Sequence, residues 1–297
     1  MKKFIVLSFY FLIFVLVTNA AHAQSVYFND TKPDTMVVGN NAYYELAINK
    51  TYGGFFYIKD KTTGENVSLG SPFGSMLWGV QYTDGTNLWS TSYPNLMSYE
   101  WNYQTKTLTL QYTPNQNELK PVSVSVSLTA SESNYFDMKM FVSNNSGNIV
   151  KTINFPLELL FAFNGTSKAF VPCDYPGMIL ESSFFSQKRS FNQKYPGNMR
   201  ADFVGLQIKN SNFSMYTLRD GLPVRSTWIG LNNDSKYTEN TYSLRHDYQE
   251  WLLSGKSWSS PVTRLRITPT IIETVKILSQ YFLSLKTPIK IMKKTKR

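Results

Sequence analysis

Apolar and polar residues alternate along most of the chain, which is the pattern of strands with one buried face. The clearest runs are residues 106–112 and 121–128; the second places Val122, Val124, Val126 and Leu128 on one face. The pattern predicts further strands at residues 43–49, 55–59, 76–82, 135–143, 149–155, 203–208, 214–218, 241–246 and 262–267. About a dozen strands exceed an immunoglobulin domain of about 100 residues. An all-β fold of two large antiparallel sheets is therefore expected.

Two stretches depart from this alternation. Residues 171–200 contain several prolines and glycines together with aromatic side chains, which predicts an ordered, irregular loop over the mouth of a sheet. After Thr270 the apolar period becomes helical, and the predicted helix carries Ile271, Ile272, Val275, Leu278, Phe282 and Leu285 on one face. The basic residues that follow read as a solvated tail.

The first 23 residues have the pattern of a secretory signal peptide. Two lysines precede an apolar run of 14 residues, and Ala21 and Ala23 fit a cleavage site before Gln24. The run is shorter than the roughly 20 residues of a membrane-spanning helix. We therefore expect a secreted or periplasmic protein without a membrane span after cleavage, divided into a signal peptide (1–23), a β domain (24–269) and a helix with a basic tail (270–297).

The charge is concentrated at the two ends of the chain. Of 30 basic residues, eight lie before residue 4 or after residue 285, which leaves 22 basic against 20 acidic residues in between. A nearly neutral body disfavours nucleic acid as a partner.

Residues for metal or cofactor chemistry are scarce. Cys173 is the one cysteine, and His246 is the one histidine after the leader, so neither a disulfide scaffold nor a multi-histidine metal site is expected. No nucleotide-binding glycine motif occurs, and no cofactor is predicted. His246 reads as a structural histidine hydrogen-bonded beside Asp247.

Aromatic and polar side chains alternate within the irregular segment, which suits carbohydrate because sugar rings stack on aromatic faces while their hydroxyls bond polar groups. The candidate ligand-binding residues are Asp174, Tyr175, Glu181, Arg189, Tyr195 and Arg200. In the alternative interpretation, Phe184, Phe185 and Tyr195 plug an open end of the sandwich. The six tryptophans are further candidates for stacking on sugars, although a place in the core is the favoured interpretation for each of them.

The chain resembles the amino-terminal β-supersandwich of large secreted glycoside hydrolases related to endo-α-N-acetylgalactosaminidases. The resemblance rests on residues 171–177, 181–185, 195–197 and 201–202, and on a first hairpin running from Tyr44 to Gly64. It implies a galactose mutarotase-like fold, here an all-β, large two-sheet antiparallel supersandwich with a C-terminal helix, over about residues 42–267.

In that family the supersandwich precedes a (β/α)-barrel that holds the catalytic carboxylates. The resemblance therefore implies a catalytic barrel as a partner domain, whereas residues 287–297 match no barrel strand. Mutarotase activity would need a pair of histidines with an acid, and the mature chain has one histidine.

Three functions remain open from the sequence. The first is a secreted carbohydrate-associated module without catalysis of its own, truncated from or companion to a glycoside hydrolase. The second is a complete small glycan-active enzyme that uses Asp174, Glu181 or Asp202, since glycoside hydrolysis requires two carboxyl groups. The third is a secreted adhesion or structural domain.

Overall fold

The computed structural model describes residues 25–69, 76–92, 97–114, 120–173, 177–218, 227–234 and 240–268, with the single positions 270, 273 and 276. Within these residues, 22 strands form three antiparallel sheets. The all-β prediction is confirmed. The strands make three sheets where the sequence pattern indicated two, because the first five form a sheet of their own.

The first sheet is a meander in which each strand pairs with the next along the chain. Its strands are β1 (Val26–Asn29), β2 (Thr35–Asn40), β3 (Tyr44–Asn49), β4 (Phe55–Asp60) and β5 (Asn66–Ser68). Strands β1 and β2 precede the region where strict alternation begins, and the sequence analysis did not predict them. Tyr44 and Phe55 pack against Phe136, which joins this sheet to its neighbour.

The second sheet is the largest and is called the large sheet. Its strands are β8 (Met97–Asn102), β9 (Thr107–Tyr112), β10 (Val122–Ala130), β11 (Tyr135–Asn144), β14 (Lys168–Val171), β15 (Met178–Leu180), β17 (Phe203–Ile208), β18 (Ser211–Leu218), β21 (Lys256–Ser259) and β22 (Val262–Thr268). Its main path runs β15-β14-β17-β18-β22-β11-β10-β9-β8. In β10 the predicted face of Val122, Val124, Val126 and Leu128 is buried as expected.

The third sheet carries the cleft discussed below and is called the cleft sheet. Its strands are β6 (Gly79–Tyr82), β7 (Asn87–Trp89), β12 (Val150–Asn154), β13 (Leu159–Ala162), β16 (Phe191–Tyr195), β19 (Thr227–Asn233) and β20 (Thr241–Leu252). The strand order is β16-β19-β20-β12-β6-β7, and β13 also pairs with β20.

The cleft sheet packs with one face on the large sheet. The rings of Phe161 and Phe213 meet at 5.2 Å across this interface, and those of Tyr248 and Trp258 at 5.1 Å. One continuous hydrophobic cluster includes residues of all three sheets. The opposite face of the cleft sheet is left free of the core.

Residues 171–200 are more regular than predicted. They contain β15, a one-turn helix α1 (Ser182–Ser186) and β16, and β16 pairs along its whole length with β19. The apolar alternation of β16 is not visible in the sequence, because polar Gln193 lies between the two buried residues of the strand, Phe191 and Tyr195.

The change to helical spacing after Thr270 agrees with the described positions there. Glu273 and Lys276 are helical, and the Glu273 amide donates to Thr270 Oγ1 at 3.2 Å, which is the geometry of a helix N-cap. All six residues of the predicted apolar stripe, and the signal peptide, lie outside the described residues. Among the described residues, no helix has the length and apolar character to cross a membrane.

Candidate functional site

The free face of the cleft sheet carries polar and aromatic side chains in register across six strands. Side chains of consecutive strand residues point to opposite faces, so every second residue of each strand faces the cleft. One row runs across the sheet through the paired residues Lys194, Trp228, Asp247, Asn154 and Gly79, and ends at Trp89. A neighbouring row contains Gln249, Thr152, Gln81 and Asn87.

Asp247 is the centre of a hydrogen-bond network on the cleft floor. The Asn154 side-chain amide donates to Asp247 Oδ1 at 2.6 Å, and Arg245 Nη2 lies 3.1 Å from Asp247 Oδ2. The Asp247 side chain is 16% exposed and that of Arg245 34% exposed. This charged pair is therefore partly withdrawn from water while one edge of each group remains open to the cleft.

Two buried N–H donors have no protein acceptor among the described residues, one in the lining of the cleft and one on Asn232, which accepts from the lining residue Asn192. They are Arg245 Nε and Asn232 Nδ2. Buried donors are nearly always paired, and leaving one unpaired costs about 1–3 kcal/mol.

Two glycines make room for side chains that shape the cleft. A Cβ placed on Gly79 would lie 2.3 Å from the Trp89 ring, and one on Gly230 would lie 2.1 Å from Asn192 Oδ1. The absence of these side chains lets the Trp89 indole lie against β6 and lets the Asn192 amide reach Asn232, to which it donates at 2.9 Å. Neither glycine needs a positive φ, so close approach is the reason for both.

The cleft has a volume of about 430 Å³, within the range of small-molecule sites. Its lining residues are Gln81, Asn87, Trp89, Thr152, Asn154, Leu157, Asn192, Trp228, Arg245, Asp247 and Gln249. Trp228 is 36% exposed and Trp89 is half-buried, so both sides of the floor offer an aromatic surface. Flat aromatic groups beside amides and one ion pair suit a ligand that has apolar ring faces and many hydroxyls.

Four of the six predicted site residues are described, and none of these four lines the cleft. Glu181 is exposed next to α1 and lies 3.6 Å from Lys168 Nζ; Arg189 and Arg200 are also exposed. Tyr195 is 7% exposed and belongs to the hydrophobic core. Asp174 and Tyr175 lie outside the described residues. The ligand-binding role of these six residues stays a prediction.

Three described aromatic residues of the predicted segment, Phe185, Phe191 and Tyr195, are buried. Phe185 is fully buried, and its ring stacks on Phe163 at 3.9 Å and meets Tyr242 at 5.0 Å. These contacts correspond to the interpretation in which Phe185 and Tyr195 plug the end of the sandwich. The segment nevertheless contributes Asn192 to the cleft.

Two carboxyl groups considered for catalysis occupy different settings. Asp202 is 4% exposed in the core, accepts a hydrogen bond from the Thr217 hydroxyl and lies 3.2 Å from His246 Nε2. His246 therefore faces Asp202 and not its neighbour Asp247, because adjacent strand residues point to opposite faces. Glu181, in contrast, is exposed at the surface. Among the described residues, no group of three or more His, Cys, Asp or Glu side chains forms a candidate metal site.

The cleft residues missed in the sequence analysis had a detectable signal. In residues 244–249 the apolar or core positions alternate with Arg245, Asp247 and Gln249, and Trp228 stands between Thr227 and Ile229, which are both buried. A tryptophan between two buried strand positions points to the opposite face of the sheet, where its ring is exposed. The general preference of tryptophan for the core outweighed this signal, although it holds for Trp78 and Trp258.

Several solved structures share this architecture at low sequence identity. An α-N-acetylgalactosaminidase from Bifidobacterium bifidum, in complex with GalNAc, has a TM-score of 0.61 at 8% identity, with 82% of this chain and 38% of that chain covered. A galactose mutarotase-like protein from Lactobacillus casei has a TM-score of 0.54 at 8% identity, covering 79% and 100%. A GH36 α-galactosidase from Geobacillus stearothermophilus has a TM-score of 0.53 at 10% identity, covering 83% and 41%.

No protein-family model and no curated protein sequence matches the chain. The chain spans about two fifths of each of the two glycosidases and the full length of the mutarotase-like protein. At these identities the likeness establishes the fold. The chain has a galactose mutarotase-like β-supersandwich fold, which the larger glycosidases contain as one part of their structure.

Proposed function

We propose that this protein is a carbohydrate-binding domain of an exported glycan-processing system and that it binds neutral sugars in the cleft without catalysing their hydrolysis. The observation that carries the proposal is the floor of the cleft, where Trp89 and Trp228 flank the network of Asn154, Asp247 and Arg245. Aromatic rings for the apolar sugar face and fixed polar groups for hydroxyls are the combination that carbohydrate recognition requires.

Neutral ligands are favoured by the charges of the cleft. Arg245 and Asp247 are the charged residues that line it among those described, and they pair with each other. A ligand carboxylate or phosphate would have to compete with Asp247 for Arg245, and a ligand amine with Arg245 for Asp247. A hydroxyl group can accept from Arg245 Nε and donate to Asp247 without breaking the pair.

The absence of catalysis is supported by the groups available. Glycoside hydrolysis requires one carboxyl group on each side of the scissile bond, and Asp247 is the one carboxylate among the described lining residues. Its role as acceptor for Asn154 and Arg245 fits the binding of a ligand better than proton transfer. Export is supported by the leader pattern of residues 1–23, and we propose a glycoside hydrolase barrel as the partner of the β domain.

The test is glycan binding by the mature chain, residues 24–297. Wild type should bind immobilised galactose or N-acetylgalactosamine glycans, and Asp247→Ala should weaken the binding by at least tenfold because Arg245 and Asn154 lose their common acceptor. Glu100→Ala removes an exposed carboxylate from β8 and should leave binding unchanged. Release of reducing sugar by the wild-type chain, lost in Glu181→Gln, would contradict the non-catalytic role.

A further inference from the structure

Strand β20 carries an exposed tryptophan beyond the end of the cleft. Trp251 is 55% exposed and does not line the cleft described above. Trp251 is the next exposed residue of the strand after Gln249, which lines the cleft, while Tyr248 and Leu252 on either side of this stretch are buried. Among the described tryptophans, Trp251 has the most exposed side chain.

The backbone at Trp251 is arranged in an uncommon way. Val150 pairs with Leu252 and Thr152 with Gln249, so that Glu250 and Trp251 together stand opposite Lys151 in a β-bulge. Trp251 has a φ of 50°, in the left-handed region that a bulky residue rarely adopts. Bulges redirect side chains beside binding sites, and strained residues cluster at such sites. This bulge determines where the indole ring points.

The indole ring is also held by a neighbouring side chain. The Lys151 ammonium lies 5.9 Å from the ring centroid of Trp251, within the range of a cation–π contact. Since more than half of Trp251 stays exposed, this contact orients the ring without covering it. The result is an aromatic platform fixed by backbone and side chain together.

We propose that Trp251 is a second sugar-stacking position and that the ligand of the cleft is a linear oligosaccharide that runs along β20. This inference rests on the proposed function, which it extends from one sugar to a chain of sugars. Arg245 and Trp251 are six residues apart, which corresponds to roughly 20 Å along a strand. That length is several times the width of one pyranose ring.

The experiment measures how affinity depends on glycan length. The probe is an array of galactose, N-acetylgalactosamine, glucose and mannose, each as the monosaccharide and as linear oligosaccharides up to the tetrasaccharide. Wild type is expected to bind the tetrasaccharide of its preferred sugar about tenfold more tightly than the monosaccharide, and Trp251→Ala is expected to lose this gain while keeping monosaccharide affinity. Trp251→Tyr retains an aromatic ring and should keep most of the gain.

Leu253→Ala is the matched control, because Leu253 is 53% exposed at the same hairpin end and should leave the length dependence unchanged. Melting temperatures of all variants show whether each is folded. The inference is overturned if Trp251→Ala retains the length dependence of wild type, or if wild type binds every length equally. Binding of no glycan on the array by folded wild type would instead overturn the proposed function itself.

Discussion

The two faces of strand β20 carry polar side chains in different environments. On the core face, fully buried His246 lies between Asp202 and the Tyr248 hydroxyl, which is 3.3 Å from His246 Nδ1. On the cleft face, Asp247 contacts Arg245 and accepts from Asn154, and the side chains of Asp247 and Arg245 are partly open to water. Burial raises the pKa of Tyr248 well above its usual value, and the negative charge of Asp202 raises it further. The comparison shows that adjacent residues of one strand place their polar groups in different environments, one enclosed by the core and one open to the cleft.

The sharpest test of this comparison is to remove one carboxylate from each face. Asp202→Ala removes a buried carboxylate that accepts from the Thr217 hydroxyl and lies 3.2 Å from His246 Nε2, and it should lower the free energy of unfolding by about 3–5 kcal/mol. Asp247→Ala should cost about 1 kcal/mol or less, because water can reach its partners. Urea denaturation of the two variants measures both values, and equal losses would show that the two faces do not differ as described.

A second test applies the comparison to β16, which has the same division of faces. Tyr195 is in the core, so Tyr195→Ala should lower the free energy of unfolding by about 3 kcal/mol. Tyr103, which is 66% exposed, is the matched control, and Tyr103→Ala should change stability by less than about 0.5 kcal/mol. Thermal and urea unfolding measure both. A Tyr195→Ala variant with wild-type stability and lost glycan binding would place Tyr195 at the ligand and not in the core.

The fold was predictable from the chain because alternation in strands such as β10 is a direct record of which face is buried. The separate first sheet was not, since pairing partners are set by long-range contacts such as that between Tyr44 and Phe136. The cleft was harder still. Asp247, Asn154 and Gln81 are far apart in sequence and meet through strand register, which local patterns do not encode.

The composition of segment 171–200 suggested a ligand-binding region, but it did not indicate which of its side chains point into the core. Its mixture of aromatic and polar residues pointed to ligand binding, and β16 does supply Asn192 to the cleft. The Phe185 ring, however, packs on Phe163 and Tyr242, which are distant in sequence. Whether a side chain of this segment faces the cleft or the core depends on strand pairing, which composition alone does not give.

The smallest expected effect concerns the exposed arginines of that segment. Arg189 is exposed and precedes β16 by two residues, so it lies about 10 Å along the chain from Asn192 at the cleft. We expect Arg189→Ala to weaken glycan binding by about 1 kcal/mol, or about fivefold, through the loss of a hydrogen bond at the rim, and Arg200→Ala to do no more than this.

Lys139→Ala, which removes an exposed cation from β11, is the control for a change in overall charge. Titration calorimetry with the preferred glycan measures these differences. Affinities equal to wild type for both arginine variants, together with a loss in Asp247→Ala, would restrict the binding surface to the cleft sheet.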